Sequence, residues 1–450
     1  MSAWRRFLAV VAVGLSLLAY LALAYATPRQ EFGQLLGLFA IAMAGYLVLV
    51  KVRVSLRTGL LVALLFRLAW LPATPALSDD FHRFRWDGLL AANAVSPFEF
   101  KPNELIAAQD SAAPPIPFST ELASELRAIF PLLNSPNYYS VYPPVSQLVF
   151  AAGAALFPSS QLGFVVFLRL LILAAEAGSA ALLLGLLARW GRPRPRALLY
   201  LLHPLAIIEL TGNLHFEAVV IFFILLAIWL LSQGKVLVSA GALGLAVASK
   251  LTPLLLLPYL IKRLGRRKFV AYSLVVGSVL ALLFSVFIPA KLLLHISQSL
   301  GLYFRTFEFN ASLYYLLRAL GYQYQGYNEI AIIGPALGAV AALALLGLAW
   351  REKATTLAGL PAVLLLAFTI YYLCATIVHP WYLTPLLALS VFTNFRYALL
   401  WGGLAVLSYA AYRTPAFQEN FWLLGLEYGL SLGLLLYELR RDGAGHSPAA

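Results

Sequence analysis

The sequence predicts an all-α protein that crosses a membrane many times, and three observations support this fold class. First, 62% of the 450 residues are hydrophobic and only 11% are charged, whereas a soluble domain is nearer a quarter charged. Second, apolar runs such as 7–26, 161–188 and 269–289 approach or exceed the ~20 residues that cross ~30 Å of hydrocarbon. Third, short basic clusters recur between the apolar runs, as they do in the inner loops of polytopic proteins.

The apolar runs predict a bundle of about 12–14 transmembrane helices, each long enough or nearly long enough to span. We place spans near 7–26, 34–50, 59–74, 161–188, 197–212, 216–232, 236–250, 251–262, 268–289, 330–350, 355–375, 381–394, 397–412 and 421–438. The pair at 236–262 is too short for two full crossings, so we expect a short hairpin whose broken tip carries Lys250.

Orientation follows from the basic clusters, such as 189–196 and 262–268, which we place on the cytoplasmic side with both termini. The long segments 75–142 and 290–329 then lie outside. The net charge of +13 has the same origin, so nucleic acid binding is not needed to explain it. The run 141–159 is too short to cross, and we predict a re-entrant or juxtamembrane helix there.

We expect one integral membrane domain over 1–441 and a disordered tail over 442–450. The single cysteine, Cys374, lies in an apolar run, which excludes an intrachain disulfide framework. No Walker loop, Rossmann glycine motif or nucleophile elbow is present.

The first polar constellation follows the third predicted span. Asp79, Asp80 and Asp87 supply carboxylates that can act as a general base or hold a divalent cation. Arg83 could pair with a phosphate. The alternative interpretation is a solvated loop with ordinary ion pairs, and composition alone favours it.

The second constellation lies at the junction of two spans and contains Glu209, Asn213, His215 and Glu217. Ionisable groups at membrane depth usually face a cavity and have a function. The alternative is a polar network that only ties helices together.

Further polar positions lie near predicted breaks and outer segments. Lys250 suits an anionic group, although it could instead reach the headgroup region. His379, Trp381 and Tyr382 lie at an outer helix junction, where aromatic residues are common in any case. The second outer segment adds Arg305 and Asn310.

All these sites fall on one predicted side of the membrane. A transporter places substrate groups near the midplane, whereas an enzyme that acts on lipid-borne substrates gathers its groups at one surface. The pattern therefore favours an enzyme, with a transporter or flippase of lipid-linked sugars as the alternative.

Five motifs, in order along the chain, resemble those of bacterial GT-C glycosyltransferases, the polyprenol-phosphate-mannose-dependent mannosyltransferase group. They are Asp80-Phe-His-Arg-Phe-Arg-Trp-Asp87-Gly88 with Ser96-Pro97-Phe98, Tyr142-Pro143-Pro144, His203-Pro204 through His215-x-Glu217, Ala248-Ser249-Lys250-Leu251-Thr252-Pro253, and His379-Pro380-Trp381-Tyr382. The sequence departs from the family pattern at Ser96 and His203, where that pattern often has Asn, and at Glu217, where it often has Asp.

The resemblance implies a GT-C-like fold and an inverting transfer of a hexose, with mannose the first expectation, from a polyprenyl-phosphate carrier to a lipid or glycan acceptor. It implies a multi-pass protein of a bacterial inner membrane with its active site on the outer face. Asp80 would be the base, with Asp79 as its partner. Taking the motifs and the polar positions together, we expect the other candidate residues to bind substrate: Arg83, Asp87, Glu209, Asn213, His215, Glu217, Lys250, Arg305, Asn310, His379, Trp381 and Tyr382. A Mg²⁺ or Mn²⁺ ion held by Asp79, Asp80 and Glu217 is an open alternative.

The orientation can be tested by labelling. A cysteine at Asn103 should react with an impermeant thiol reagent in whole cells, because we place 75–142 outside. A cysteine at Gly191 should react only after the membrane is permeabilised. Labelling of Gly191 in intact cells together with protection of Asn103 contradicts the topology.

Overall fold

A computed structural model describes residues 2–109, 118–287, 292–353, 355–414 and 417–445. The structure is 77% helical. The described ranges contain no named strand, and an isolated parallel bridge joins Phe309 to Ile377. The prediction of an all-α polytopic membrane protein is therefore confirmed.

The α-helices have the following bounds. In chain order they are α1 (Ala3–Tyr25), α2 (Phe32–Val52), α3 (Leu56–Leu68), α4 (Asp80–Ala92), α5 (Pro102–Gln109), α6 (Thr120–Ile129), α7 (Pro144–Leu156), α8 (Gln161–Arg189), α9 (Leu198–Leu201), α10 (Pro204–Ala206), α11 (Glu217–Ser232), α12 (Val236–Ser249), α13 (Leu257–Leu264), α14 (Arg266–Ser285), α15 (Leu292–Arg305), α16 (Leu313–Gln325), α17 (Ile330–Arg351), α18 (Leu360–Cys374), α19 (Thr384–Ser390), α20 (Tyr397–Leu404) and α21 (Phe421–Gly445). A π-helix covers Ile207–Gly212, and short 3₁₀ segments include Thr252–Leu256, Pro380–Leu383 and Ala405–Tyr412.

Within the described ranges, seven helices are long and apolar enough to cross a membrane, or eight if the bent pair Pro204–Gly212 and Glu217–Ser232 is one span. The seven lie in α1, α2, α8, α14, α17, α18 with its preceding 3₁₀ turn, and α21. This criterion supports seven or eight of the predicted 12–14 spans. The remaining predicted spans fall on shorter or broken helices. Several of these helices have a proline in their first turn, where the proline ring is tolerated.

Two local predictions are confirmed. Helix α12 ends at Ser249, and Lys250 has an extended backbone (φ −160°, ψ 143°) before the 3₁₀ segment begins at Thr252. Helix α7 has only 13 residues, too few for a full crossing. Its placement against the bilayer stays a prediction.

The two long segments predicted outside contain helices of their own. Segment 75–142 carries α4, α5 and α6, and segment 290–329 carries α15 and α16. At the C-terminus α21 continues to Gly445, so 442–445 belong to a helix and not to a separate tail. Residues 446–450 lie outside the described ranges.

The chain divides into two compact units. The first comprises 1–70, 183–212 and 307–450, and the second comprises 71–182 and 213–306. The single domain over 1–441 stays a prediction. In the second unit α4 packs closely on α7, because Gly88 faces the carbonyl of Phe150 and a Cβ at this glycine would lie 2.4 Å from that oxygen.

Gly191 has a left-handed φ of 64°, which a cysteine adopts only with strain. Arg194 is exposed in the same predicted inner loop. Arg194→Cys is therefore the less perturbing inner probe for the labelling experiment.

Candidate functional site

Helix α4 carries the first group of candidate residues, in the second unit. The hydroxyl of Ser78 accepts a hydrogen bond from the backbone N–H of Asp80 (3.3 Å) at the start of the helix. An acidic residue in the first turn also interacts favourably with the helix dipole. Both features favour a helix that begins at Asp80.

Asp80 is the more open of the two α4 carboxylates, with 22% of its side chain exposed. Its Oδ1 accepts a hydrogen bond from Nδ2 of Asn134 (2.9 Å). Its Oδ2 lies 3.9 Å from Nε2 of the buried His215. This carboxylate is held in place yet reachable, as a general base must be.

The electrostatic surroundings of α4 also affect His82. Burial lowers the pKa of the His82 imidazole, and the Asp79 carboxylate partly opposes this shift. The ring is therefore neutral at neutral pH and does not add a positive charge beside Asp79 and Asp80.

Asp87 is fully buried at the centre of a hydrogen-bond network. Its Oδ1 accepts from Nε of Arg83 (2.8 Å). Its Oδ2 accepts from Ser140 and from Nε2 of Gln147 (2.9 Å). The partners span α4, α7 and the segment that leads to Tyr142, so Asp87 joins all three.

Arg83 extends this network by donating through Nη1 to the carbonyls of Ser135 (3.1 Å) and Tyr138 (3.0 Å). The sequence predicted substrate contacts for Arg83 and Asp87. In the structure their buried charges neutralise each other and fasten α4 to the segment before α7. A direct contact of either with substrate stays a prediction.

Lys250 and Glu217 form an ion pair in the second unit, with 30% of the lysine and 5% of the glutamate side chain exposed. The Ser146 hydroxyl donates to the carbonyl of Ser249 (3.1 Å), which fastens α7 to the end of α12 beside Lys250. The break before Lys250 thus lets this lysine meet Glu217 at the start of α11.

The second unit also contains Asn213, which is buried before α11. Arg305 is exposed in the last turn of α15. The unit brings Asp80 close to His215, and Lys250 close to Glu217.

Glu209 lies in the first unit on the π-helix Ile207–Gly212, a rare form that often occurs at functional sites. The hydroxyl of Tyr409 donates to Oε1 of Glu209 (2.8 Å), and both side chains are buried. Gly212 packs on Trp70, where a Cβ would lie 2.8 Å from the indole.

His379, Trp381 and Tyr382 form an aromatic group in the first unit. The rings of His379 and Trp381 are stacked, with centroids 4.2 Å apart and an interplanar angle of 5°. The ring of Tyr382 is edge-on to that of His379, with centroids 5.4 Å apart. The ring of Phe309, from a separate part of the chain, has its centroid 4.5 Å from that of the imidazole.

Asn310 was predicted to bind substrate, but it is only 1% exposed. Its Nδ2 donates to Oε1 of Glu427 (3.1 Å) and to the carbonyl of Val378 (3.3 Å). In the structure its side chain therefore joins parts of the protein to one another.

Sequence reasoning missed Asn134, Ser140, Gln147 and Glu427. Glu427 had a signal, since an ionisable residue inside a predicted span is costly and usually has a role. The other three residues had none, because nothing in their local sequence separates them from ordinary polar residues.

A metal site was an open alternative for Asp79, Asp80 and Glu217. Within the described ranges, no three His, Cys, Asp or Glu side chains are placed to share a metal ion. The carboxylate of Glu217 is paired with Lys250. The geometry therefore gives no support to that ligand set.

Comparison with known families identifies the chain. Residues 5–266 match the model of the MptA_B family, described as alpha-(1->6)-mannopyranosyltransferase, N-terminal domain. The chain belongs to this family. No curated protein matches the sequence significantly.

Membership in the MptA_B family confirms the resemblance to mannosyltransferases and makes the protein a glycosyltransferase. The matched region contains α4, the 203–217 junction and Lys250. It ends before Arg305, Asn310 and the His379–Tyr382 segment, so the family match does not support their predicted roles.

The Asp87 network predicts a stability effect. Asp87→Asn leaves Arg83 buried without its counter-charge, which should cost about 3–5 kcal/mol. The apparent Tm of the purified protein in detergent should fall clearly.

Glu104→Gln is the matched control, because the Lys101–Glu104 pair is exposed on the same long segment and should contribute no more than ~1 kcal/mol. If both variants melt alike, Asp87 does not hold the segment together.

Proposed function

We propose that this protein transfers a hexose, mannose first, from a polyprenyl-phosphate carrier to a hydroxyl of a lipid or glycan acceptor, with inversion at the anomeric carbon. The reaction takes place at the outer face of a bacterial inner membrane, with both termini cytoplasmic. The observation that carries the proposal is Asp80, a partly exposed carboxylate held by Asn134 and lying near His215, in a member of a mannosyltransferase family.

Asp80 takes the proton of the acceptor hydroxyl as its oxygen attacks the anomeric carbon. The bond from that carbon to the phosphate oxygen breaks at the same time, and polyprenyl phosphate leaves with the electron pair. Asn134 holds one carboxylate oxygen of Asp80, so the other oxygen can face the acceptor. A base in hydrogen-bond reach contributes typically ~10²–10⁴-fold.

Lys250 binds the leaving phosphate. Its side chain is 30% exposed and pairs with Glu217, so a carboxylate occupies the place that the donor phosphate would take. Donor binding therefore exchanges one anion for another at Lys250. The donor is a phosphodiester with one negative charge, and the phosphate gains a second negative charge as the bond to the sugar breaks. Lys250 therefore interacts more strongly with the leaving group than with the bound donor.

A lipid carrier suits this chain better than a nucleotide sugar. Enzymes of nucleotide sugars usually hold the diphosphate on an α/β domain, and the described ranges are helical. A polyprenyl tail can lie between apolar helices, where each buried CH₂ contributes ~0.8 kcal/mol.

The donor is tested by transfer in vitro with purified protein. A polyprenyl-phosphate mannose should support turnover in detergent, where no second compartment exists, and this separates transfer from transport. Turnover with a nucleotide sugar in the absence of any lipid-phosphate sugar contradicts the proposed donor.

Asp80→Asn should lower kcat by roughly 10²-fold or more, because the amide keeps the shape but cannot accept the proton. The measurement is the initial rate at saturating donor, with the apparent Tm as the check on folding.

Glu104→Gln, which removes an exposed carboxylate from the same segment, should leave the rate unchanged. Near-normal turnover of a folded Asp80→Asn protein would assign the base to another carboxylate, with Glu217 and Glu209 the next to test.

Lys250 and Glu217 give opposite predictions for the affinity of polyprenyl phosphate, the leaving group. Lys250→Ala should raise the Kd of polyprenyl phosphate about 10-fold or more, since a charged hydrogen bond is lost. Glu217→Gln should lower that Kd, because the carboxylate no longer competes with the phosphate.

The two variants can be compared by equilibrium binding of polyprenyl phosphate, which needs no catalysis. Acceptor KM should change little in either. Weaker phosphate binding in Glu217→Gln would mean that Glu217 positions Lys250 and does not compete for it.

A further inference from the structure

Asn310 lies at an unusual point of the backbone in the first unit. Its φ is +45°, a left-handed conformation that a non-glycine residue adopts only when its surroundings impose it. Three groups hold this turn. The backbone N–H donates to Oε1 of Glu419 (2.6 Å), the carbonyl accepts from the Tyr428 hydroxyl (2.6 Å), and the side-chain amide donates to Glu427 (3.1 Å).

The residues before this turn pair with the segment that leads to His379. The N–H of Phe309 donates to the carbonyl of Thr376 (3.0 Å), and the N–H of Val378 donates to the carbonyl of Phe309 (2.8 Å). The amide of Asn310 adds a bond to the carbonyl of Val378. His379 is the next residue, so its backbone is fixed from the Asn310 side.

The imidazole is confined as well as the backbone. Its centroid lies 4.5 Å from that of the Phe309 ring and 4.2 Å from that of the Trp381 indole, and the imidazole and indole are nearly parallel. Because Phe309 belongs to the held segment, its position depends on the turn at Asn310. The ring of His379 is thus oriented by contacts that lead back to α21.

Glu427 is the buried anchor of this arrangement. It is 0% exposed on α21, and its Oε1 accepts from Asn310 and from Nε1 of Trp401 (2.9 Å). A buried carboxylate is costly unless its hydrogen bonds are made. An apolar residue would pack there without that penalty, so the carboxylate serves the bonds it accepts.

Burial raises the pKa of the neighbouring Glu419, which lies between the predicted last two spans, and the Asn310 N–H and the Tyr315 hydroxyl oppose the shift by donating to it. Glu419 supports the same turn through its bond from the Asn310 N–H (2.6 Å).

We infer that Glu427 is a positioning residue for the transfer reaction: through Asn310 it sets the orientation of His379 in the His379–Tyr382 segment. The inference rests on the proposed function only in taking His379 as a substrate-binding residue. It extends the machinery to α21, outside the family-matched region 5–266.

The test uses variants that separate the hydrogen bonds from the packing. Glu427→Leu removes the acceptor, and Glu427→Gln keeps one at the same place. Asn310→Gly accepts the left-handed φ but deletes the amide.

Glu438→Leu is the control on the same helix. Glu438 is also buried and accepts from the backbone N–H groups of Arg396 (2.8 Å) and Tyr397 (3.1 Å), but these residues do not contact His379 through any of the bonds described. If Glu427→Leu acted only by lowering the stability of the fold, Glu438→Leu should have the same effect.

The first readout needs no turnover. The emission of Trp381 should depend on its stacking with the His379 imidazole. It is measured as the difference between each variant and the same variant with Trp381→Phe. The Trp381 emission in Glu427→Gln and Glu438→Leu should match that of the wild type. The emission in Glu427→Leu and Asn310→Gly should change as it does in His379→Ala, and a wild-type emission in Glu427→Leu overturns the inference.

The second readout is kcat/KM for the lipid-phosphate donor. Glu427→Leu should lower it about 10-fold, and the double variant with His379→Ala should be no worse than His379→Ala alone. Independent, multiplicative effects overturn the inference. If wild-type protein transfers nothing from the lipid donor, the proposed function fails, while the fluorescence still decides whether Glu427 positions His379.

Discussion

The structure depends on one constraint: a polar group inside a hydrocarbon layer must find its partner within the protein. Charged side chains follow this rule in both units. Arg67 donates to the carbonyls of Ala63 (3.0 Å) and Leu201 (2.7 Å), and Arg169 donates to the carbonyl of Leu71 (2.8 Å). The carbonyl of Leu201 ends α9 and that of Leu71 follows α3, where helical bonding leaves acceptors free. Buried arginines therefore donate to carbonyls that the helix breaks leave without a helical partner.

The same constraint explains which features the sequence could predict. Long apolar runs have one solution in a membrane, the helix, so α1, α2, α8 and α14 fall close to their predicted places. The break at Lys250 was also predictable, because a basic residue followed by Pro253 cannot continue an apolar helix comfortably. The spans predicted near 381–394 and 397–412 were predicted less well, because each region includes a 3₁₀ segment. Composition alone does not distinguish such a segment from an α-helix.

The candidate site was predictable to the level of motifs but not of roles. Asp80 and Lys250 could be chosen because their surroundings in sequence were apolar or resembled a family. The pairing of Lys250 with Glu217, 33 residues away, and the bond from Gln147 to Asp87, 60 residues away, depend on contacts between distant parts of the chain. Sequence patterns report periodicity along the chain, and they do not report which charges meet across it.

The candidate residues share a feature that links the fold to its chemistry: each group lies where a helix begins, ends or changes form. Asp80 starts α4, Glu209 lies on a π-helix, Lys250 follows the end of α12, and His379 precedes a 3₁₀ turn. A continuous span satisfies its own backbone and presents apolar side chains to lipid. A break exposes polar backbone, which attracts polar side chains and excludes lipid from the same place. A membrane enzyme that acts on a hydrophilic sugar needs both effects together, and this chain obtains them by interrupting its helices where its carboxylates and its lysine lie.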